Sequence, residues 1–186
     1  IFYPLGKYIL LLKSVFRKPE KWSLYRKEIF KEMDYMGVGS LGIICIISIF
    51  LGAVTTVQTA FQLVSDLIPK SVIGGIVRDS SILELSPTIS AIVLAGKIGS
   101  SVASQIGTMR VTEQIDALEI MGINSPGYLI LPKILGAVTM MPILVIISIA
   151  LSILGGYLAG TLSGAVTPQA FIEGLTLDFI PFTLTV

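Results

Sequence analysis

Residues 43–57 read IICIISIFLGAVTTV, and no charged residue lies anywhere between Asp34 and Asp66. About 20 consecutive apolar residues suffice for a helix to cross the hydrocarbon core of a bilayer. The sequence therefore predicts a first transmembrane helix over residues 38–63. This segment decides the fold class, because a spanning helix places its neighbours at or within a membrane.

The composition of the whole chain agrees with a membrane environment. The 186 residues are 53% hydrophobic and only 13% charged, with a mean hydropathy of +0.88. Soluble domains are about 25% charged. The net charge of +1 excludes the basic footprint of a nucleic-acid-binding protein. With no His and a single Cys, Cys45, we expect no disulfide framework, no metal site and no catalytic residues of the Ser-His-Asp or Cys-His type.

Further apolar stretches predict further spans. A second span is predicted over residues 85–108, a third over 132–158, and a fourth begins near residue 177. The predicted fold is therefore an all-α, polytopic integral membrane helix bundle, with a transmembrane domain over residues 38–186. We expect its C-terminal part to be missing, because the fourth apolar run is cut off at Val186.

Residues 1–37 differ from the rest in carrying most of the Lys and Arg residues, interleaved with aromatic and aliphatic ones. This mixture is typical of an amphipathic helix that lies in the membrane interface. Pro19 is predicted to break that helix in two. Because excess Lys and Arg mark the cytoplasmic side, the segment between the second and third spans is predicted to be cytoplasmic.

Small residues recur at every fourth position in two of the predicted spans. They are Ala91, Ala95, Gly99, Ala103 and Gly107 in the second, and Ser148, Ser152, Gly156, Gly160 and Gly164 in the third. Such ridges let helix backbones approach closely in a bilayer. Packing within one bundle and a subunit interface are both compatible with this spacing.

Lys97 lies in the middle of the second span, where insertion of a lysine costs about 2.5–3.5 kcal/mol. No Asp or Glu occurs in the first three predicted spans. Its counter-ion is therefore a lipid phosphate, a carboxylate of a missing part, Asp178 or water, with snorkelling to the interface as the alternative. Gln58 and Gln105 are the other polar candidates, and interhelical hydrogen bonding is the alternative to a functional role for them.

Residues 107–122 read GTMRVTEQIDALEIMG and lie between the second and third spans. Thr112 is predicted to cap a helix over residues 112–121, and Gly122 to end it. Apolar and acidic residues occupy different sides of this helix. The apolar stripe is Val111, Ile115, Leu118 and Gly122, and the acidic one is Glu113, Asp116 and Glu119. This pattern favours a helix that docks in a groove of a cytoplasmic partner, with a solvated connecting helix as the alternative.

Four stretches closely resemble the MlaE family, the permease subunits of ATP-binding-cassette (ABC) lipid transporters. They are GAVTTVQTA at 52–60, ELSP at 84–87, AGKIGS at 95–100 and the segment 107–122, with the resemblance continuing to Pro132. The resemblance implies a multi-pass protein of the bacterial inner membrane. It further implies transport of phospholipid between the inner and outer membranes of a Gram-negative envelope, which maintains outer-membrane lipid asymmetry.

The resemblance also implies partners. These are a second copy of the chain in a homodimer, a cytoplasmic ABC ATPase that binds ATP and Mg, and a periplasmic lipid-binding protein of the MCE type. The chain has no G-x-x-x-x-G-K-[ST] loop, so it is predicted to bind no cofactor and not to be an enzyme. An ion-coupled secondary carrier of a lipid-like substrate and, less favoured, a membrane lipid-modifying enzyme stay as alternatives.

The resemblance assigns two sets of site residues. The ATPase-coupling set is Arg110, Thr112, Glu113, Gln114, Ile115, Asp116, Leu118, Glu119 and Met121. The lipid-binding set is Lys97, Gln58, Leu63 and Gln105. Two positions depart from the family pattern. Lys97 stands where Arg is common and lacks the planar two-point contact with phosphate, and Gln105 stands where Glu is frequent.

Overall fold

The computed structural model describes residues 2–15, 22–63 and 69–176, and all regular secondary structure within them is helical. The elements are α1 (Phe2–Val15), α2 (Trp22–Gln62), α3 (Ser71–Ser80), a π-helical turn (Ser81–Leu85), α4 (Ser86–Val111), α5 (Gln114–Ile120), α6 (Ser125–Leu162) and α7 (Pro168–Thr176). The predicted fold class, an all-α membrane helix bundle, is confirmed.

Within the described residues, three helical stretches are long and apolar enough to cross a membrane, namely Tyr25–Gln62, Ser71–Val111 and Ser125–Leu162. The chain is therefore a multi-pass membrane protein. Each stretch overlaps one predicted span and extends beyond it, because an apolar run marks only the part of a helix that suits hydrocarbon. The fourth apolar run from Leu177, Asp178 and the break at Pro19 lie outside the described residues.

The N-terminal region differs from the predicted interfacial helix over residues 1–37. α1 ends at Val15, whereas α2 starts at Trp22 and runs without interruption to Gln62. The reason is that no proline occurs between Pro19 and Pro69, so nothing breaks the helix where the basic segment meets the apolar one. Residues 22–37 are thus the first turns of a spanning helix, and α1 alone is a separate N-terminal helix.

The chain divides into two compact units. The first unit comprises Ile1–Ser40 and Leu94–Met141, and the second comprises Leu41–Val93 and Pro142–Val186. The core of the first unit is a cluster of Val15, Tyr25 and Leu131. Tyr128 packs against this cluster, with its ring edge-on to Tyr25 at a centroid distance of 5.7 Å. The cluster joins the end of α1 to α2 and to the first turns of α6.

In the second unit, α3 packs closely on α7. The core cluster there is Ile73, Val77, Val166 and Phe171. The two helices approach so closely that a Cβ added to Gly174 would collide with the carbonyl oxygen of Ser71. A glycine at this position therefore sets the separation of α3 and α7.

Small and hydroxylated residues also line the contact between α2 and α6 in the second unit. A Cβ on Gly52 would collide with the main chain of Ser152. The hydroxyl groups of Ser48 and Ser148 share a hydrogen bond of 2.7 Å. The small-residue ridge of the third span thus packs within the bundle, except for Gly164, which lies beyond the end of α6 with a φ of 70°.

The opposite face of α2 carries large apolar side chains. Ile43, Ile46, Phe50 and Val54 are each more than half exposed. Large apolar groups outside and small or hydroxylated groups inside are the reverse of a soluble domain, and they suit a helix that faces lipid.

Candidate functional site

Lys97 on α4 contacts Tyr35 on α2, within the first unit. Its Nζ donates a hydrogen bond of 3.0 Å to the carbonyl oxygen of Tyr35 and lies 4.7 Å from the centroid of the Tyr35 ring. No carboxylate of the described residues lies within 4 Å of this nitrogen. A backbone dipole and the face of an aromatic ring therefore hold the ammonium group, which stays available to an anion.

Gly39 makes room for this contact. A Cβ at position 39 would lie 2.5 Å from the Nζ of Lys97, which is too close for both groups to keep their places. Neither Gly39 nor Tyr35 is among the site residues predicted from the sequence. The glycines at 37 and 39 could have indicated this contact. A glycine in a helix interior costs about 1 kcal/mol of stability, so its presence there points to a close packing contact.

Gln105 belongs to a buried polar cluster in the first unit. Its Oε1 accepts a hydrogen bond of 2.6 Å from the Nζ of Lys133 on α6, and Lys133 also forms an ion pair with Glu32 on α2. Lys133 is 7% exposed and Glu32 is 8% exposed. The cluster thus joins α2, α4 and α6, and interhelical hydrogen bonding, the stated alternative for Gln105, is what the structure shows.

A cavity of about 560 Å³ adjoins the cluster in the first unit. Its walls come from the early turns of α2 and from the second half of α4. They are formed by Lys31, Glu32, Asp34 and Tyr35, and by Ser101, Ser104 and Gln105. Each of these side chains carries a charged, hydroxyl or amide group, while their carbon atoms make up the larger part of the exposed lining. The cavity therefore offers polar partners to a head group and apolar surface beside them. Tyr35 connects it to Lys97.

Gln58 lines a separate cavity of about 220 Å³ in the second unit, together with Glu84 at the end of the π-helical turn. π-helical turns occur frequently at functional sites. Leu63 instead packs against the core cluster of that unit. The predicted lipid-binding set is therefore divided, with Lys97 and Gln105 in the first unit and Gln58 and Leu63 in the second.

The helix between the second and third spans is shorter than predicted, and its cap is a different residue. α5 covers Gln114–Ile120 rather than residues 112–121. Thr112 is not the cap, because its hydroxyl donates to the carbonyl oxygen of Thr108 at 2.8 Å and so prolongs α4. Glu113 takes the N-cap position with a φ of 56°, in the left-handed region, and makes no side-chain capping bond.

The C-terminus of α5 agrees with the prediction that Gly122 ends it. Gly122 has a φ of 76°, its N–H donates to the carbonyl of Glu119, and the N–H of Ile123 donates to the carbonyl of Leu118. These two bonds form a Schellman motif, which satisfies the last carbonyls of a helix. The turn after α5 is therefore well ordered by its own hydrogen bonds.

The surface of α5 is open over its whole length. None of its residues is buried, and Ile115 and Leu118 are half-buried. The most exposed large apolar side chains of the region are Ile120 at 87%, Val111 at 84% and Met121 at 65%. Ile120 was absent from the predicted coupling set, because the helical wheel places it off the stripe of Ile115 and Leu118.

These features define a multi-pass helical membrane protein with cavities that polar side chains line and a short exposed helix between two spans. Residues 29–186 match the family described as Permease MlaE, and the chain belongs to this family.

Relatives of this chain carry permease names. It is 38% identical over 151 residues to a probable ABC transporter permease protein of Rickettsia bellii (strain RML369-C), which covers 80% of this chain and 56% of the relative. It is 34% identical over 150 residues to the probable ABC transporter permease protein slr1045 of Synechocystis sp., and the match covers 81% of this chain and 57% of the relative. It is 41% identical over 123 residues to the probable ABC transporter permease protein ycf63 of Pyropia yezoensis, and the match covers 66% of this chain and 46% of the relative. The chain thus spans about half the length of the curated relatives it matches.

Proposed function

We propose that the chain is part of the permease subunit of an ABC transporter that moves phospholipid between the inner and outer membranes of a Gram-negative envelope and so maintains outer-membrane lipid asymmetry. Membership of the MlaE permease family and the names of the relatives support the ABC permease assignment. The assignment of phospholipid as substrate, and of the inner and outer membranes as its source and destination, rests on the resemblance of the sequence motifs to the MlaE family.

The observation that carries the proposal is the exposure of α5 and the residues beside it. A seven-residue helix with no buried side chain gains little stability from packing on its own protein. Ile120 on this helix, and Val111 and Met121 beside it, are nevertheless exposed to the surroundings. Exposed apolar side chains rimmed by acidic ones are typical of an interaction site. The proposed occupant is the cytoplasmic ATPase, which would bind ATP and Mg and hydrolyse the nucleotide, while this chain performs no catalysis.

The proposed role of Lys97 is to attract the phosphate of a lipid head group. Its ammonium group has a carbonyl and a ring as neighbours, and the cavity of the first unit, which Tyr35 lines, has room for a head group. Gln58 would contact lipid in the cavity of the second unit. Leu63 and Gln105 are less suited to contact lipid, because the first packs on a core cluster and the second binds Lys133.

A second copy of the chain is the proposed partner for α4. The small residues Ala95, Gly99, Ala103 and Gly107 are all exposed along one face of this helix. Ridges of small residues promote close helix pairing in a bilayer, which supports a homodimer. The periplasmic MCE-type protein and the location in the bacterial inner membrane rest on the family resemblance.

The test is co-purification of the full-length permease with the ATPase encoded beside it, with wild type compared to Ile120→Asp. Ile120 is preferable to Leu118 because Ile120 is 87% exposed, whereas Leu118 is half-buried and an Asp there would also disturb its packing. We expect wild type to retain the ATPase and Ile120→Asp to lose it. Ile172→Asp is the matched control, since Ile172 is 54% exposed on α7, which lies in another compact unit.

Equal retention of the ATPase by wild type and Ile120→Asp would remove α5 as the docking site. Failure of the wild type to bind any ATPase would contradict the permease proposal itself. Lipid transfer that needs an ion gradient and no ATPase would indicate a secondary carrier instead.

A further inference from the structure

Asn124 joins α1 to the turn that follows α5. Its side-chain Oδ1 accepts a hydrogen bond of 2.8 Å from the hydroxyl of Ser14, and its Nδ2 donates one of 2.7 Å to the carbonyl oxygen of Ser14. The two residues are 110 positions apart in the sequence. A reciprocal pair of bonds fixes both the distance and the orientation of the two groups, which a single bond does not.

The bonds on the α5 side connect Asn124 firmly to that helix. The Schellman motif holds Gly122 and Ile123 against the last turn of α5. The hydroxyl of Ser125 donates a bond of 2.8 Å to the carboxylate of Glu119 on α5. On the other side, the N–H of Tyr128 donates to the carbonyl of Asn124 and starts α6. Asn124 is therefore fixed to α5 before it and to α6 after it.

The packing around Asn124 supports the same contact. Val15, next to Ser14, is fully buried against Tyr25 and Leu131. A Cβ on Gly127 would lie 2.8 Å from the Nδ2 of Asn124, so the glycine leaves the space that the amide needs. The junction between α1 and the turn is thus a packed contact of the first unit.

The rest of α1 is suited to the membrane surface. Tyr3, Leu5, Tyr8 and Leu10 are each between 61% and 76% exposed, and Lys7 lies on the same helix. Exposed apolar side chains together with lysines are typical of a helix in the lipid interface. A displacement of α5 would therefore be passed to a helix that lies in the lipid interface.

We propose that Asn124 is a positioning residue that makes α1 and α5 move as one body, so that a displacement of α5 reaches the membrane-embedded part of the first unit rather than being absorbed in the turn. The inference rests on the proposed function, since it takes α5 as the site where the ATPase acts. It assigns to α1, an N-terminal helix remote from α5 in sequence, a part in coupling.

The test uses the full permease with its ATPase, reconstituted in liposomes, and measures the lipid moved per ATP hydrolysed. We expect Asn124→Ala to keep the ATPase bound and to lower this ratio about fivefold or more, the lower end for coupling between sites. Ser14→Thr keeps the hydroxyl and is expected to match wild type. Ser14→Ala removes one of the two bonds and is expected to fall between them.

A reversible crosslink separates coupling from a general loss of structure. Cysteines replace Ser14 and Asn124 in a Cys45→Ala background, and a short, reducible bifunctional thiol reagent joins them. We expect the joined protein to recover the wild-type ratio and to fall to that of Asn124→Ala after reduction. A joined protein that stays uncoupled, or an unchanged ratio in Asn124→Ala, would overturn the inference. A wild-type permease that binds no ATPase would instead overturn the proposed function.

Discussion

The ammonium group of Lys97 lies over the ring of Tyr35 at 4.7 Å and donates a hydrogen bond to the carbonyl oxygen of the same residue. One residue thus supplies both a π face and a dipole to a lysine within a spanning helix. Neither neighbour carries a negative charge, so the positive charge keeps its attraction for an anion, and the geometry holds the side chain ready for one.

Lys97→Met is expected to lower lipid binding about tenfold or more, because a hydrogen bond to a charged group contributes about 1.5–3 kcal/mol. Gly39→Ala is expected to lower it less, because its Cβ would displace only the flexible end of the Lys97 side chain, which keeps its charge. The measurement is the phospholipid phosphate that remains bound after purification in detergent. Gly42→Ala is the matched control on the same helix, because nothing lies within 4 Å of its added Cβ. Normal lipid content in Lys97→Met would remove Lys97 from the lipid site.

Removing one member of the buried pair Glu32 and Lys133 is expected to destabilise the protein strongly. Lys133→Met leaves the carboxylate of Glu32 buried without its partner, which costs about 3–5 kcal/mol. The free energy of unfolding, measured by denaturant titration in detergent, reports this loss. Lys31→Met serves as control, since its pair with Glu28 is exposed and contributes about 1 kcal/mol at most.

Combining Lys133→Met with Glu32→Leu is expected to recover part of that stability, because the double variant buries no unpaired charge. A double variant less stable than Lys133→Met alone would show that Glu32 is held by other groups.

Gly52→Ala is expected to force α2 and α6 apart in the second unit. Its Cβ would meet the main chain of Ser152, which has no flexible end to move aside, and overpacking of this kind costs about 1–3 kcal/mol. The thermal midpoint of the purified protein is the readout. Gly42→Ala, on the same helix and in open space, is expected to leave the midpoint unchanged or to raise it slightly. Equal midpoints for the two variants would argue against the close contact.

Glu113→Gly is expected to stabilise the permease when it is studied without partners. A residue with a Cβ at a φ of 56° carries about 1 kcal/mol of strain, which glycine relieves. Asp116→Gly removes the same charge from the interior of α5, where glycine costs about 0.5–1 kcal/mol, and is expected to destabilise. Thermal midpoints that move in the same direction would contradict the strain at Glu113.

The end of the helix between the second and third spans could be read from local sequence. Gly122 ends α5 because a glycine after an apolar helix adopts positive φ readily, and that property belongs to the residue itself. The predicted start of α5 was wrong because the role of Thr112 is ambiguous in the sequence. Its hydroxyl can cap the following helix α5 or bond to the preceding helix α4, and the structure shows the bond to α4. The contacts of Lys97 and Gln105 needed the positions of Tyr35 and Lys133, which no local pattern supplies.

The sequence by itself determined that this is a helical membrane protein, where its spans lie and that a short helix separates the second from the third. Apolar length and charge decide those features, because transfer of each segment to the bilayer depends on that segment alone. The tertiary structure decided which polar groups meet, as in Lys133 with Glu32 and Asn124 with Ser14. These partners are more than 100 residues apart, and their pairing follows from the packing of whole helices, in which small residues set how closely the backbones approach.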